Sequence, residues 1–346
     1  MEAYINGIGA VSPQDHEAPE FLSEINVVES FTVKCLEPDY KSMIAPSIAR
    51  RMSRIVKMSI ASSKMALEQA NVERPNAIVT GTAMGCLQNT EKFLEAIIDN
   101  DEQFLAPTAF ILSTHNTVGA QIALLLKCYA YNMTYVQSGL SFETALLDAY
   151  MLLDDKGVDD VLLGGHDEMT SGFHTLYDRI GYWKKQDNEN IITTSTAGVY
   201  SGEGAAFFAL SKDKRKESFA KISELKTVYR GNKQKIKEEV SAFVSKYGEP
   251  SLVLYGISGD HKEDAVYLDL MQNELQNCDA GYFKHLCGEY GTASSFALFL
   301  ASKILKNKMV PTSICVKPSL RKEVKNILIV NGYRQKSFSL IYVEHA

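Results

Sequence analysis

Ser138 and Ser141 bracket a segment, Tyr135-Val136-Gln137-Ser138-Gly139-Leu140-Ser141-Phe142-Glu143, that runs into a helical pattern and then an apolar strand, Val161-Leu162-Leu163-Gly164-Gly165. A strand that turns sharply into a helix aims one side chain at a reaction centre. Covalent catalysis there needs an activatable hydroxyl, thiol, amine, carboxylate or imidazole. At this turn stands Gly139 or Leu140, and neither can attack. The flanking serines carry hydroxyls, but no base is identifiable beside them. Cys287 adjoins Gly288-Glu289, and His261 and His285 lie in loops, so a displaced thiol–imidazole pair is one reading. The plainer one is a cysteine packed as a small apolar group and histidines in solvent. His115, just before Asn116, either lines a pocket or takes part in a helix cap.

Composition narrows the classes these residues can serve. The chain has 346 residues, 23% charged and 45% hydrophobic, enough for a large core in one domain or two fused halves. A net charge of -6 and a pI near 5.7 argue against a nucleic-acid partner held by a basic surface. An acidic carrier protein would need a local basic patch. Arg50, Arg51, Arg54 and Lys57 form one candidate and Lys212, Lys214, Arg215 and Lys216 another, each otherwise a solvated helix end or loop. The six cysteines show neither a CxxC pair nor metal-ligand spacing, as in a reduced cytoplasmic protein without a metal. No signal peptide is read at Met1–Ala10, and no apolar run approaches the ~20 residues of a membrane helix.

Short apolar strands alternate with helical patterns, which predicts an α/β fold with covered sheets. Strands are expected at Ala3–Ile8, Ala77–Thr80, Thr134–Val136, Asp160–Leu163 and Ala205–Leu210. Helices are expected at Arg51–Gln69, Thr90–Ile98, Val118–Lys127 and Phe142–Leu153. The charged stretch Ser211–Ser218 marks a junction, giving halves at 1–211 and 219–346. In the second half the expected strands are Ala220–Val228, Leu252–Tyr255, Asn326–Val330 and Ser337–Val343. Its helices are Lys233–Ser245, Glu263–Leu275 and Thr292–Ile304. This half loosely repeats the first without a residue-level repeat, and Lys184–Thr196 reads as a long polar loop.

Several short runs together resemble the thiolase-fold β-ketoacyl synthases, the condensing enzymes of fatty-acid and polyketide assembly. Ile5-Asn6-Gly7-Ile8-Gly9-Ala10-Val11-Ser12-Pro13 is similar to the family's opening, and Arg50-Arg51-Met52-Ser53-Arg54 to its basic helix start. Asn116-Thr117-Val118-Gly119-Ala120 is similar to a further helix start. Leu162-Leu163-Gly164-Gly165-His166-Asp167-Glu168 and Ser201-Gly202-Glu203-Gly204-Ala205-Ala206 are similar to two of its strands. Each run alone is weak; in this order they span the chain. The resemblance implies a five-layered α-β-α-β-α fold of two pseudo-repeated βαβαβ halves.

It also implies a thiol at the strand-to-helix turn and two histidines that polarise a thioester carbonyl. The turn residue here is Gly139 or Leu140. The histidine segments resemble Gly256–Asp264 and Lys284–Ala293, which places Gly256 and Glu289 where the imidazoles belong. A Glu289 carboxylate would repel a developing oxyanion, at about 1 to 4 kcal/mol for like charges roughly 4 Å apart. Lys284 matches the family's Lys, with an ion pair as its expected role, and the family's late glycine-rich loop corresponds to Asn331-Gly332-Tyr333-Arg334-Gln335. The candidates left to line a pocket are Ser138, Ser141, Phe142, His115, Lys284, Cys287 and Glu289. The implied role is a non-catalytic chain-length factor that needs no cofactor, pairs with an active ketosynthase subunit or as a homodimer, and meets an acyl carrier protein. Tyr129, Tyr131, Met133 and Tyr135, on one strand face, serve either such an interface or ordinary core and sheet packing. The alternatives are a divergent acyltransferase, decarboxylase or thioesterase using a displaced Cys, His or Glu, and a homodimeric acyl-binding protein.

Overall fold

The computed structural model describes residues 2–15, 22, 33–155, 157–185, 190–194, 196–316 and 323–346. Part of the stretch expected as a polar loop at Lys184–Thr196 therefore lies outside the described residues. The first half runs β1 (Ala3–Val11), α1 (Pro46–Ala49), α2 (Arg54–Ala70), β2 (Ala77–Gly81), α3 (Leu87–Asp99), α4 (Pro107–Ser113) and α5 (Thr117–Leu126). It continues with β3 (Tyr131–Tyr135), α6 (Ser141–Asp154), β4 (Asp160–Asp167), α7 (Ser171–Arg179) and β5 (Gly204–Ser211). The second half runs β6 (Ala220–Tyr229), α8 (Lys233–Tyr247), β7 (Leu252–Tyr255), α9 (His261–Gln272), β8 (Asp279–Tyr282), α10 (Lys284–Cys287), α11 (Ala293–Asn307), β9 (Asn326–Tyr333) and β10 (Ser337–His345).

The strand order is β3-β2-β4-β5-β1-β6-β10-β9-β7-β8. Renumbering the last five strands as a second set shows the same order reversed, so the repeat that residue identities conceal is explicit in the topology. β2 runs parallel to β3 and β4, and β7 parallel to β8 and β9, while the inner strands are antiparallel. The halves join where Ala3–Ile5 of β1 pair with Ala220–Ile222 of β6. The charged stretch between them is tied down: Asn6 and Ser211 share a 2.6 Å hydrogen bond, and Arg215 pairs with Asp160.

Three apolar clusters account for five layers. α11 is buried nearly all round and, with α6, packs between the half-sheets, as an apolar helix must. α2 and α5 cover one outer face and α8 and α9 the other. α8 illustrates the local logic. Asn232 accepts a hydrogen bond from the Lys235 amide at its start, and Ile236, Val240 and Phe243 recur at helical spacing toward the core. Gly248, at φ 79°, ends it.

The ends of β2, β3 and β4 lie side by side, with Gly81 opposite both Tyr135 and Gly165, and α6 begins directly over them. A methyl group on Gly81 would lie 2.5 Å from the Ser141 carbonyl carbon and 2.6 Å from the Phe142 nitrogen. Because the obstacle is backbone, Gly81→Ala is expected to destabilise the chain by about 1–3 kcal/mol. Urea unfolding that leaves the midpoint unchanged would refute this packing.

Candidate functional site

Five segments converge at the start of α6: the turn Gln137–Ser141, the loop after β2, Asp167 at the end of β4, the loop Gly288–Thr292 and the tip of the β9–β10 hairpin. Asp167 holds three of them together. One carboxylate oxygen accepts hydrogen bonds from the Thr82 hydroxyl and the Ala83 and Met84 amides, and the other from the Thr292 amide and hydroxyl. A second tie sits nearby. The Arg54 guanidinium grips both oxygens of Glu203, at 2.5 and 2.7 Å, and Glu203 also accepts the Cys35 and Met169 amides. The Arg50–Arg54 and Ser201–Ala206 runs therefore meet in space. Asp167 and Glu203 stand in two of the family-like runs, but their part as the fixed points of the site shows only in these contacts between distant segments.

The turn is closed by Ser141, whose hydroxyl accepts from the Gln137 amide and donates to the Ser138 carbonyl. Ser138 adopts a left-handed backbone, φ 54°, and is exposed. Gly139 and Leu140 are buried. Gly139 is backed by Tyr333: a methyl group there would lie 2.6 Å from Tyr333 Cγ and would collide with Tyr333 Cβ. At Gly256 the same test meets Asn331 Oδ1 and, at 3.2 Å, the Tyr267 hydroxyl. Glu289 receives the Lys284 ammonium at 2.6 Å, both side chains being 2% exposed, and that ammonium also donates to the Gly332 carbonyl at 2.9 Å. Burial raises the Glu289 pKa, and Lys284 pulls against that rise. Glu289 is thus not the free negative charge its sequence position suggests, because Lys284 answers it.

Other candidates fall elsewhere. Phe142 is in the central core against Phe208, ring centroids 5.9 Å apart. Cys287 is fully buried, its thiol directed to the Gly288 carbonyl at 3.4 Å, and burial pushes its pKa well above the ordinary thiol range. His285 packs against Tyr282, the rings tilted by 31°, and hydrogen-bonds the Ser313 carbonyl, with a pKa lowered by burial to about 3. His261 sits at the exposed start of α9 and bonds the Thr196 carbonyl. His115 is exposed beside Gly85, and Asn116, at the start of α5, makes no side-chain cap bond. Of the predicted site, the structure brings together Gly139, Lys284 and Glu289 around the hairpin tip; Gly256 reaches the same tip through Asn331. The segment expected to bear the first histidine keeps its scaffold: Asp264 accepts the Ser258 and Gly259 amides. Among the described residues no group of three or more His, Cys, Asp or Glu side chains could hold a metal ion.

β3 ends the sheet, its outer backbone edge facing no other described strand. It begins at Tyr131 and ends at Tyr135, earlier than the expected Thr134–Val136, and Tyr129 precedes it. Tyr131 and Met133 are exposed on the face that meets α6, where the Tyr131 hydroxyl donates to Asp148, and Leu147 and Met151 extend the patch. An unpaired strand flanked by apolar side chains is the composition of a covered interface. No single helix among the described residues is long and apolar enough to cross a membrane. In the basic runs, Arg54 and Arg215 are consumed by ion pairs, whereas Arg50 and Arg51 are exposed.

Comparison with known proteins extends this geometry. Residues 31–239 match the family described as "Beta-ketoacyl synthase, N-terminal domain". Curated protein sequences yield no match. Among solved structures, a type II polyketide acyl-carrier protein in complex with its ketosynthase bound to the hexaketide (AntDE:AntF) superposes with a TM-score of 0.78 at 15% identity, covering 100% of this chain and 99% of that one. The ishigamide ketosynthase/chain length factor gives 0.77 at 15% identity, covering 100% and 99%. The ketosynthase ApeO with its chain length factor ApeC from Xenorhabdus doucetiae gives 0.75 at 12% identity, covering 99% and 98%. At these identities the likeness establishes the thiolase-like fold.

Proposed function

We propose that this chain, which belongs to the β-ketoacyl synthase family, is its non-condensing kind: a chain-length factor that pairs with an active ketosynthase while an acyl chain grows on a carrier protein. One observation carries the reading. The resemblance assigns a thiol to Gly139 or Leu140 and imidazoles to Gly256 and Glu289, and here Tyr333 lies against Gly139, Asn331 against Gly256, and Glu289 is ion-paired with Lys284. None of them can form a thioester, and none is a base poised beside a nucleophile. The partner's role falls to the β3 edge and the α6 face, whose exposed Tyr131, Met133, Leu147 and Met151 would wall the interface. Arg50 and Arg51 offer an acidic carrier protein a contact. Solved relatives that pair a ketosynthase with a chain length factor, and one bound to its carrier protein, support these assignments. Six free cysteines fit a reducing, cytoplasmic setting.

The reading predicts that the purified chain alone neither condenses nor decarboxylates malonyl carrier protein, and that it co-purifies with its ketosynthase. Met133→Lys would place an unpaired charge in the interface, weakening association by about 100-fold or more while leaving the fold intact. Condensation by the isolated chain, lost on Cys287→Ala, would instead establish a displaced-thiol acyltransferase.

A further inference from the structure

Three consecutive residues of one strand end reach Gly256, Gly139 and the ion partner of Glu289. Asn331 occupies the space beside Gly256, the Gly332 carbonyl accepts from the Lys284 ammonium at 2.9 Å, and the Tyr333 ring lies on Gly139. The next residue secures them. The Arg334 guanidinium lies 4.6 Å from the Tyr177 ring and 4.5 Å from the Tyr182 ring, contacts that anchor the hairpin tip to α7 and the segment after it. Arg334 and Gln335 both take the left-handed backbone, φ 53° and 52°, and the Lys336 amide closes the turn on the Tyr333 carbonyl at 3.1 Å. Two consecutive left-handed positions are those of a type I′ turn, normally given to Asn or Gly. Here non-glycine residues hold a strained conformation that keeps Tyr333 and Arg334 on opposite anchors.

We propose that the hairpin tip Asn331–Arg334 is a built-in plug that fills this chain's own thioester pocket, so that the chain cannot take up an acyl-pantetheine arm itself. Within the subunit reading above, on which this second consequence rests, a complex then carries one acyl chain, held by the partner alone. The plug itself stands on the contacts just described. It also explains why three side-chain replacements would not rebuild a condensing centre: a thiol at Gly139 and an imidazole at Gly256 have no room while Tyr333 and Asn331 remain.

The test is calorimetric titration of the full chain with a non-hydrolysable octanoyl-pantetheine amide. The wild type is expected to show no saturable binding, and Asn331→Ala/Tyr333→Ala to bind at least about 10-fold more tightly than any residual wild-type affinity. Equal binding by both proteins, or no gain in the opened variant, overturns the plug. Should the double variant fail to fold, Arg334→Ala keeps Tyr333 while releasing its anchor. Faster amide exchange over residues 331–336 together with gained binding supports the proposal, and no change in either refutes it. Association with a ketosynthase, measured separately, is unaffected by this outcome and tests the subunit role on its own.

Discussion

Glu289→Gln is expected to destabilise the chain by about 3–5 kcal/mol, because it leaves the Lys284 ammonium buried without a countercharge. Both side chains are 2% exposed, so no solvent screens the loss, and the Gly332 carbonyl at 2.9 Å is the remaining acceptor. The other Glu289 oxygen has no partner among the described residues, so the ion pair is the principal interaction of that carboxylate. Lys284→Met should be comparably damaging for the mirror reason, an isolated buried carboxylate whose pKa burial already raises. Lys284→Met/Glu289→Leu removes both charges together and should recover most of the loss, since apolar pairs of similar volume often match a buried ion pair. Restoring the family's imidazole by Glu289→His is expected to cost stability in the same way, as it too strips Lys284 of its partner. Urea unfolding of the four variants checks the set, and a double variant no more stable than either single one would show that the pair is not coupled. Loss of function in Glu289→Gln would therefore report folding before it reported chemistry.

The sequence carried the architecture well where periodicity was strong and poorly where elements were short or contacts distant. The expected and observed bounds of β7 coincide because Leu252–Tyr255 is an unbroken apolar run. α4 escaped because its seven residues begin at Pro107 and carry no helical period, and β8 because Asp279-Ala280-Gly281-Tyr282 alternates small and polar residues. The expected β4 stops at Leu163 because the Gly164-Gly165 pair reads as a strand end. The strand instead runs to Asp167, and Gly164 leaves room for the Phe207 ring. Residue type alone shows that neither Gly139 nor Leu140 carries a group able to attack. It does not show what fills that space, since the approach of Tyr333 and Asn331 depends on how two half-sheets meet through residues far apart in the chain.

His166 supplies a pH signature that residue type alone could not disclose. It lies in β4, 0% exposed, its ring stacked on Phe207 at 6.5 Å between centroids and 4° between planes, and among the described residues neither ring nitrogen has a hydrogen-bond partner. Burial lowers its pKa from 6.5 to about 3, with the nearby His115 adding to the effect. The sign follows from proton counts. Between pH 6.5 and about 3 the unfolded chain binds a proton at this residue that the folded chain does not, so stability is fully present above 6.5 and falls as pH drops below it. At about 1.36 kcal/mol per unit, the loss from this one residue reaches roughly 2 kcal/mol at pH 5. Glu168, raised by burial to about 7, titrates in the opposite direction, so the wild-type curve alone does not isolate the histidine. The difference between wild type and His166→Leu does, because the carboxylate contributions cancel between the two proteins. His166→Leu also relieves two unpaired buried nitrogens and should be no less stable than wild type at pH 7.5. Its advantage should then grow by about 2 kcal/mol at pH 5, read from paired urea titrations at the two pH values. A difference that stays constant across that range would mean that His166 takes up a proton in the folded chain near its ordinary pKa, and hence that water or a polar partner reaches the ring from the α2–α5 side of the sheet.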